Sequence, residues 1–493
     1  MQLLHYQGVL KVSANYGRNI GSALTELSAQ VRSEAFCLLR LCGDLTEFIR
    51  SGRTKKTYLY ETEGLLDHIL QSSGAIQTFV RKVIEEPPED ELIKSKLRDF
   101  GEIRKGLSWL YILAKEAIDS DSLSIPFSLA IFLNHTAGDL LKPKKPSLVV
   151  LSGSNLMYYK YNLKAMRDLT RYLSARIEHY PVLAEDIGIL MFPYCAAGEV
   201  LVNCNLFHEM GHYIYESTSL EEGFRNEILD KLGRFFIQTG IVDRIKAPLL
   251  EWKALLNYVS TLVLRWADEI FADIFAVRVL GPAFHLAYRE IEQLIPTTVA
   301  RAFSETHPAD DYRFKVHAEW LVEDGWTQIL QDHLPEFFKE LEKCRDYKID
   351  HFSISCRAPS HFEEIQEELH KWMLGEFENM VKKIEGEVST KLGNGFKKPV
   401  EDYNRTKKLV TSYLEHGVVP STLYDDGTKL HPYPVTVLNC GFFFYLKGMI
   451  PLLDRFKTNL NSIDKRITCE KRLNSWLGKA IEDWQILLKK GKL

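Results

Sequence analysis

The chain has 493 residues, of which 45% are hydrophobic, 26% charged and 11% aromatic. Such a composition belongs to a globular chain long enough to bury a large core, and it excludes disordered, collagen-like and low-complexity polymers. The 62 Lys and Arg nearly balance the 66 Asp and Glu, for a formal charge of -4, so the sequence shows no electrostatic footprint for nucleic acid or an anionic membrane.

The opening residues, Met1 to Asn19, carry no basic leader followed by an apolar run, so no secretory signal is expected. Residues 1–146 read as a helical region. Ile20, Leu24, Leu27, Val31, Leu38, Leu45 and Ile49 follow three-to-four spacing. A second periodic stretch runs from Leu59 to Ile84. A third follows Pro87 and Pro88, with Leu92, Ile93, Leu97, Phe100, Ile103, Leu107 and Leu110 on one side. Lys142 to Pro146 is a breaker that suits a linker.

The texture then changes. Ser147–Leu151 and Ile187–Phe192 are short apolar runs bounded by Gly and Pro, which predicts strands, with a helix from Leu163 to Ile177 between them. From residue 200 to about 320 the pattern is helical again. Residues 321–493 are mainly helical too. Ser360 with Glu363 fits a capping box, followed by an apolar stripe at Phe362, Ile365, Leu369, Trp372, Met373, Met380 and Ile384. Gly393 to Pro399 reads as a loop. Val435 to Leu453 is the nearest approach to a membrane span, but Asn439, Lys447 and Pro451 interrupt it, which predicts a buried helix or strand. The fold class is therefore mainly α with a small β-sheet, divided into 1–146, 147–320 and 321–493. The eight cysteines form no CxxC pair, so reduced thiols and a cytoplasmic location are expected.

Chemistry concentrates in Asn205 to Tyr215, which contains His208-Glu209-Met210-Gly211-His212. On a helix, positions i and i+4 share one face, so the two imidazoles project together and can bind one zinc ion. Glu209 lies about 100° around the helix, beside that ion rather than on it, where a general base for an activated water belongs. Gly211 costs about 1 kcal/mol in a helix relative to Ala, which implies a close neighbour, for example a helix carrying another ligand.

A third ligand is needed. Gly and His three and six residues after His212 would continue a metzincin motif, but Tyr215 and Thr218 stand there, so that class is excluded. Glu216, Glu221, Glu222 and Glu227 are nearby alternatives. Glu269 is the better candidate, because Trp266 to Val277 is apolar apart from its acids and so predicts a buried helix. Glu269, Ala272, Asp273 and Ala276 share one face of it. The two alanines permit close helix packing, and Asp273 can accept a hydrogen bond from the free ring N–H of a ligand histidine. The bland alternatives are satisfied core histidines and a solvated acidic face.

These residues resemble a known family. His208-Glu209-x-x-His212 followed by Glu269-x-x-Ala272-Asp273 is similar to the gluzincin zinc metallopeptidases, and most similar to the CaaX-processing endopeptidases and their soluble relatives. Thr306-His307-Pro308 to Arg313 resembles that family's HP…R segment. The resemblance spans about Ser147 to Arg313. It implies a zincin-like core flanked by helical regions, with zinc on His208, His212 and Glu269 and hydrolysis of a peptide or protein substrate. It further implies Glu209 as base, His307 as oxyanion donor, Arg313 as a supporting or substrate-orienting cation, and strand addition of an extended substrate at Ile187–Phe192. The chain lacks the membrane helices of the prenyl-processing enzymes. Two other readings stay open: a catalytically inactive zincin-fold binding or regulatory protein, and a hydrolase acting on other bonds.

Overall fold

The computed structural model describes residues 20–86, 92–121, 125–142, 146–153, 157–218, 220–241, 248–292, 303–304, 306–346, 362–393, 399–455 and 462–491. In chain order the elements that matter below are α1 (Ile20–Arg53), α2 (Tyr60–Glu85), α3 (Ile93–Asp119), α4 (Phe127–Leu140), β1 (Ser147–Gly153), β2 (Tyr159–Lys160), α5 (Lys164–Ser174), β3 (Ile187–Pro193), α6 (Leu206–Ser217), α7 (Leu220–Gln238), α8 (Leu249–Leu280), α9 (Pro282–Glu292) and α10 (Asp310–Glu323). The chain is mainly helical with a small sheet.

It forms two compact units. One comprises residues 1–56, 63–118 and 163–185, and the other 57–62, 119–162 and 186–493. In the first, the apolar stripes close on themselves. Leu38, Leu45 and Ile49 of α1, Leu66, Ile69, Ile76 and Val80 of α2, Phe100, Ile103 and Leu107 of α3 and Leu173 of α5 are all buried. Leu92 departs from its expected stripe and is exposed, because it precedes the first residue of α3 and lies in a 3-10 turn, off the α-helical stripe. The side chains of Ile20, Leu24 and Leu27 lie outside the described residues.

The second unit holds the sheet. Strand order is β1-β3-β2, with β1 parallel to β3 in the register Ser147↔Ile187 to Gly153↔Pro193. β2 adds antiparallel to β3 at Tyr159↔Met191 and Lys160↔Leu190. Parallel pairing requires a long crossover, and the segment between the strands supplies it. β1 and β3 are buried from their second residue onward, which is why they read as continuous apolar runs rather than alternating ones. This order corrects the expectation that Ile187–Phe192 receives an extended chain. β3 is the central strand, paired with β1 along its length and with β2 at Leu190 and Met191, and β1 and β2 are the two edges.

The apolar run from Val435 is a buried helix, Pro434–Leu446, which stops at a turn where Gly448 and Met449 take positive φ before a second helix, Ile450–Arg455. Asn439 explains the polar interruption: its side chain accepts from Ala283 N and donates to Leu280 O, bridging the end of α8 and the start of α9. Among the described residues no helix is long and apolar enough to cross a membrane. Leu369, Trp372, Met380 and Ile384 are buried on the helix Phe362–Leu392. That helix also sends Phe377 against Trp266, Phe303 and Tyr312, so it braces the helix that carries Glu269. Ser360, Cys356 and most of the Gly393 to Pro399 segment lie outside the described residues.

Candidate metal centre

α6 is buried from Leu206 to Tyr215 and crosses α8 at very close range. A Cβ placed on Gly211 would lie 2.6 Å from Ala272 Cα and 3.1 Å from Ala272 O. The missing side chain at 211 and the small one at 272 therefore let the two backbones meet, and Glu269 sits one turn before that contact. Gly211→Ala separates two effects of opposite sign. Helix propensity favours Ala by about 1 kcal/mol. Overpacking against backbone, which cannot rotate away, costs about 1–3 kcal/mol, occasionally more. We expect a net destabilisation of up to about 2 kcal/mol in urea denaturation, together with weaker metal binding as Glu269 is pushed back. A more stable variant would show that the helices are not in contact there.

The three candidate ligands converge. His208 Nε2 and His212 Nε2 are 3.0 Å apart. Glu269 Oε2 is 3.3 Å from His208 Nε2, and Glu269 Oε1 is 3.6 Å from His212 Nε2. A cation held tetrahedrally at about 2.0–2.1 Å from each donor spaces them about 3.3–3.4 Å apart, so the triangle has the right size. The outward ring nitrogens each face a carboxylate, His212 Nδ1 in a hydrogen bond and His208 Nδ1 in a charge contact. His208 Nδ1 lies 2.9 Å from Asp273 Oδ1, and His212 Nδ1 lies 2.7 Å from Asp268 Oδ1. With each Nδ1 facing a carboxylate, the two Nε2 atoms are turned toward one another, an arrangement that a shared proton or metal cation relieves. Glu269 Oε2 is buried with no hydrogen-bond partner among the described residues. These residues form the one His/His/carboxylate cluster of metal-binding geometry found among the described residues, and they could hold a metal ion.

Electrostatics point the same way. Burial pushes the His208 imidazole down, but Asp273 and Glu269 more than offset this and raise it to about 10. His212 is raised as well, burial being outweighed by Asp268 and Glu269. Burial opposes ionisation of Glu269, yet His212, His208 and Arg313 hold it below the usual carboxylate range. The pocket thus stabilises positive charge where the three donors meet.

Glu209 is also buried. Burial raises its carboxyl, His208 and His212 pull it back down, Glu269 adds to the rise, and the Lys160 backbone N–H of β2 supports the ionised form. The alternative acids lie elsewhere: Glu216 pairs with Lys160 at 2.5 Å, Glu221 with Arg225, and Glu227 with Lys231 and Lys383. None belongs to the cluster.

His307 and Arg313 come to the same place by different routes. His307 Nε2 is 3.5 Å from Glu269 Oε1, and its side chain is 49% exposed, so it stands at the open rim. Its Nδ1 is 2.7 Å from Thr306 Oγ1. A hydroxyl donating there leaves the proton on Nε2, which makes that atom a donor. Arg313 is buried instead. Its Nε and Nη2 donate to the two oxygens of Asp273 at 2.6 and 2.7 Å, Nη2 is 3.4 Å from Glu269 Oε2, and the guanidinium lies over the Tyr288 ring. Its position is that of a supporting cation. Asp273 is held well below the carboxylate range, because Arg313 and His317 outweigh its burial.

Sequence reasoning passed over Asp268, Thr306 and His317. Asp268 had a signal, being an acid adjacent to Glu269 on an apolar helix. His317 had one as well, since it follows Arg313 by one helical turn on α10 and shares its face. No family model, curated protein or solved structure matches the chain. What can be said about function therefore comes from the site itself.

Proposed function

We propose that this protein is a zinc-dependent peptidase of the gluzincin type, with β1 to β3, α6 and α8 forming a zincin-like core. The observation that carries the reading is the convergence of His208, His212 and Glu269 beside a buried, non-ligating Glu209. Two nitrogens and one carboxylate oxygen are the donor set of catalytic zinc, which keeps a further position open. Zinc held there by His208, His212 and Glu269 would supply Lewis-acid polarisation of a carbonyl and lower the pKa of a water toward about 7.

The chain's own groups account for the rest. Glu209 accepts the proton of the attacking water and delivers it to the departing amine; its raised pKa suits both halves of that task. His307, with Nε2–H at the rim, donates to the oxygen on which charge develops. Arg313 neutralises Asp273 and Glu269 from behind and so keeps both carboxylates ionised and in place. β2, the edge strand whose Lys160 N–H supports Glu209, is the backbone surface against which an extended peptide can lie.

The test is hydrolysis of unfolded casein or a peptide library by the full chain, before and after phenanthroline treatment, and then with zinc restored. We expect turnover to vanish on chelation and return with the metal. Turnover that chelation leaves untouched would sink the proposal. A retained ion without any turnover would favour a metal-stabilised binding protein instead.

A further inference from the structure

Behind the ligand set lies a buried pair that the proposed reaction does not use. His317 of α10 is 0% exposed and His285 of α9 is 2% exposed. Their Nδ1 atoms are 2.9 Å apart, and His317 Nε2 faces Asp273 Oδ1 at 3.5 Å. Phe284, Tyr288 and Phe314 pack around His317, and Phe314 and Phe337 around His285. We propose that His317 and His285 are positioning residues which, through Asp273, fix the outward proton of His208 and so aim its Nε2 at the metal. The inference rests on reading His208 as a metal ligand and does not require peptidase chemistry.

The direction of each hydrogen bond follows from counting protons. Burial, the largest influence on both rings, holds His285 and His317 neutral, so each carries one N–H. The short Nδ1–Nδ1 contact needs one donor and one acceptor. Were His317 the donor, its Nε2 would turn a bare lone pair toward the Asp273 carboxylate 3.5 Å away, a repulsive contact. With His285 as donor, the His317 proton sits on Nε2, the nitrogen 3.5 Å from Asp273 Oδ1, a charge contact longer than a normal hydrogen bond. Asp273 Oδ1 then faces His317 Nε2–H on one side and His208 Nδ1–H on the other, with Arg313 Nη2 completing the set. The order of contacts runs His285, His317, then Asp273, whose Oδ1 also lies 2.9 Å from His208 Nδ1. A carboxylate beside Nδ1 favours the His208 tautomer that carries its proton there and leaves Nε2 free for a metal.

Partners that orient a metal ligand typically contribute 10–100-fold to metal affinity. His317 acts one residue further back, so we expect about a 10-fold effect, at the lower end of that range. The experiment has two parts, both on the full chain. The first is a long-range nitrogen–proton spectrum of wild-type protein labelled at histidine, assigned with His317→Gln and His285→Gln. We expect His317 protonated on Nε2 and His285 on Nδ1; the reverse pattern would overturn the proposal. The second is zinc affinity by chelator competition. His317→Phe, which fills the space without an N–H, is expected to weaken zinc about 10-fold, and His317→Gln, whose amide can still donate to Asp273, to stay near wild type. Equal affinity in a folded His317→Phe would overturn the proposal while the ligand assignment stands. A wild-type chain that takes up no zinc would overturn the ligand assignment and this inference with it. If His317→Phe does not fold, the wild-type spectrum alone decides.

Discussion

Glu209→Gln is expected to keep one metal ion per chain and to lose hydrolysis by about 10²–10⁴-fold, the usual contribution of a positioned acid–base group. The substitution is nearly isosteric, and it leaves His208, His212 and Glu269 untouched. An amide, however, cannot accept a proton at any working pH. The pH profile adds a second, independent check. Because burial raises the Glu209 carboxyl above its ordinary value of 4.5, the wild-type rate should fall on the acid side as pH drops through that raised value. The group must be ionised to act as a base, so activity is present above its folded pKa and lost below it. Metal content by plasma emission and initial rates on one peptide suffice. Full activity in the variant would remove Glu209 from its role, and loss of the metal would mean that the carboxylate is a ligand after all.

Much of this site could be read from spacing because it lies along single helices. His208 and His212 share a face by helix geometry alone. Glu269, Ala272 and Asp273 do so for the same reason, and Gly211 marked the point where a second backbone approaches. What could not be read is whatever depends on how distant segments turn toward one another. The strand at Ile187–Phe192 was recognisable, but not its central place. That place is set by β2 pairing from about 30 residues upstream and by β1 pairing from the other side. Asp268 and Asp273 are both acids on α8, five residues apart. Only the packing of α6 against α8 assigns the first to His212 and the second to His208. Arg313 was read as a supporting or substrate-orienting cation, and spacing alone did not choose between the two. Its guanidinium faces inward because Asp273, buried completely, needs a counter-charge and no other described arginine or lysine reaches it. Leu92 fitted its stripe in sequence and fell outside the helix in space.

The Asp273–Arg313 pair offers a large expected stability effect and a way to separate folding from metal binding. Asp273 is 0% exposed and Arg313 4% exposed, joined by two short hydrogen bonds. Removing one partner of such a pair strands the other charge in low dielectric, a loss of about 3–5 kcal/mol. Asp273→Leu strands the Arg313 guanidinium with Glu269 as its remaining carboxylate, at 3.4 Å. Arg313→Met strands the Asp273 carboxylate between two histidines. Both single variants should therefore be destabilised by about 3–5 kcal/mol. The double variant Asp273→Leu/Arg313→Met removes both charges together, and desolvation no longer has to be offset, so it should recover most of that loss. Metal affinity follows a different rule. Without Asp273, His208 Nδ1–H has no acceptor, so both Asp273→Leu and the double variant should bind zinc about 10–100-fold more weakly than wild type. Unfolding must be measured on metal-stripped protein, because a bound ion adds its own stabilisation to the folded state. Recovery of stability without recovery of zinc affinity would show that the pair is retained for the site rather than for the fold. Recovery of both would show that His208 is oriented without Asp273, and no recovery of stability would show that the two charges do not act as a pair.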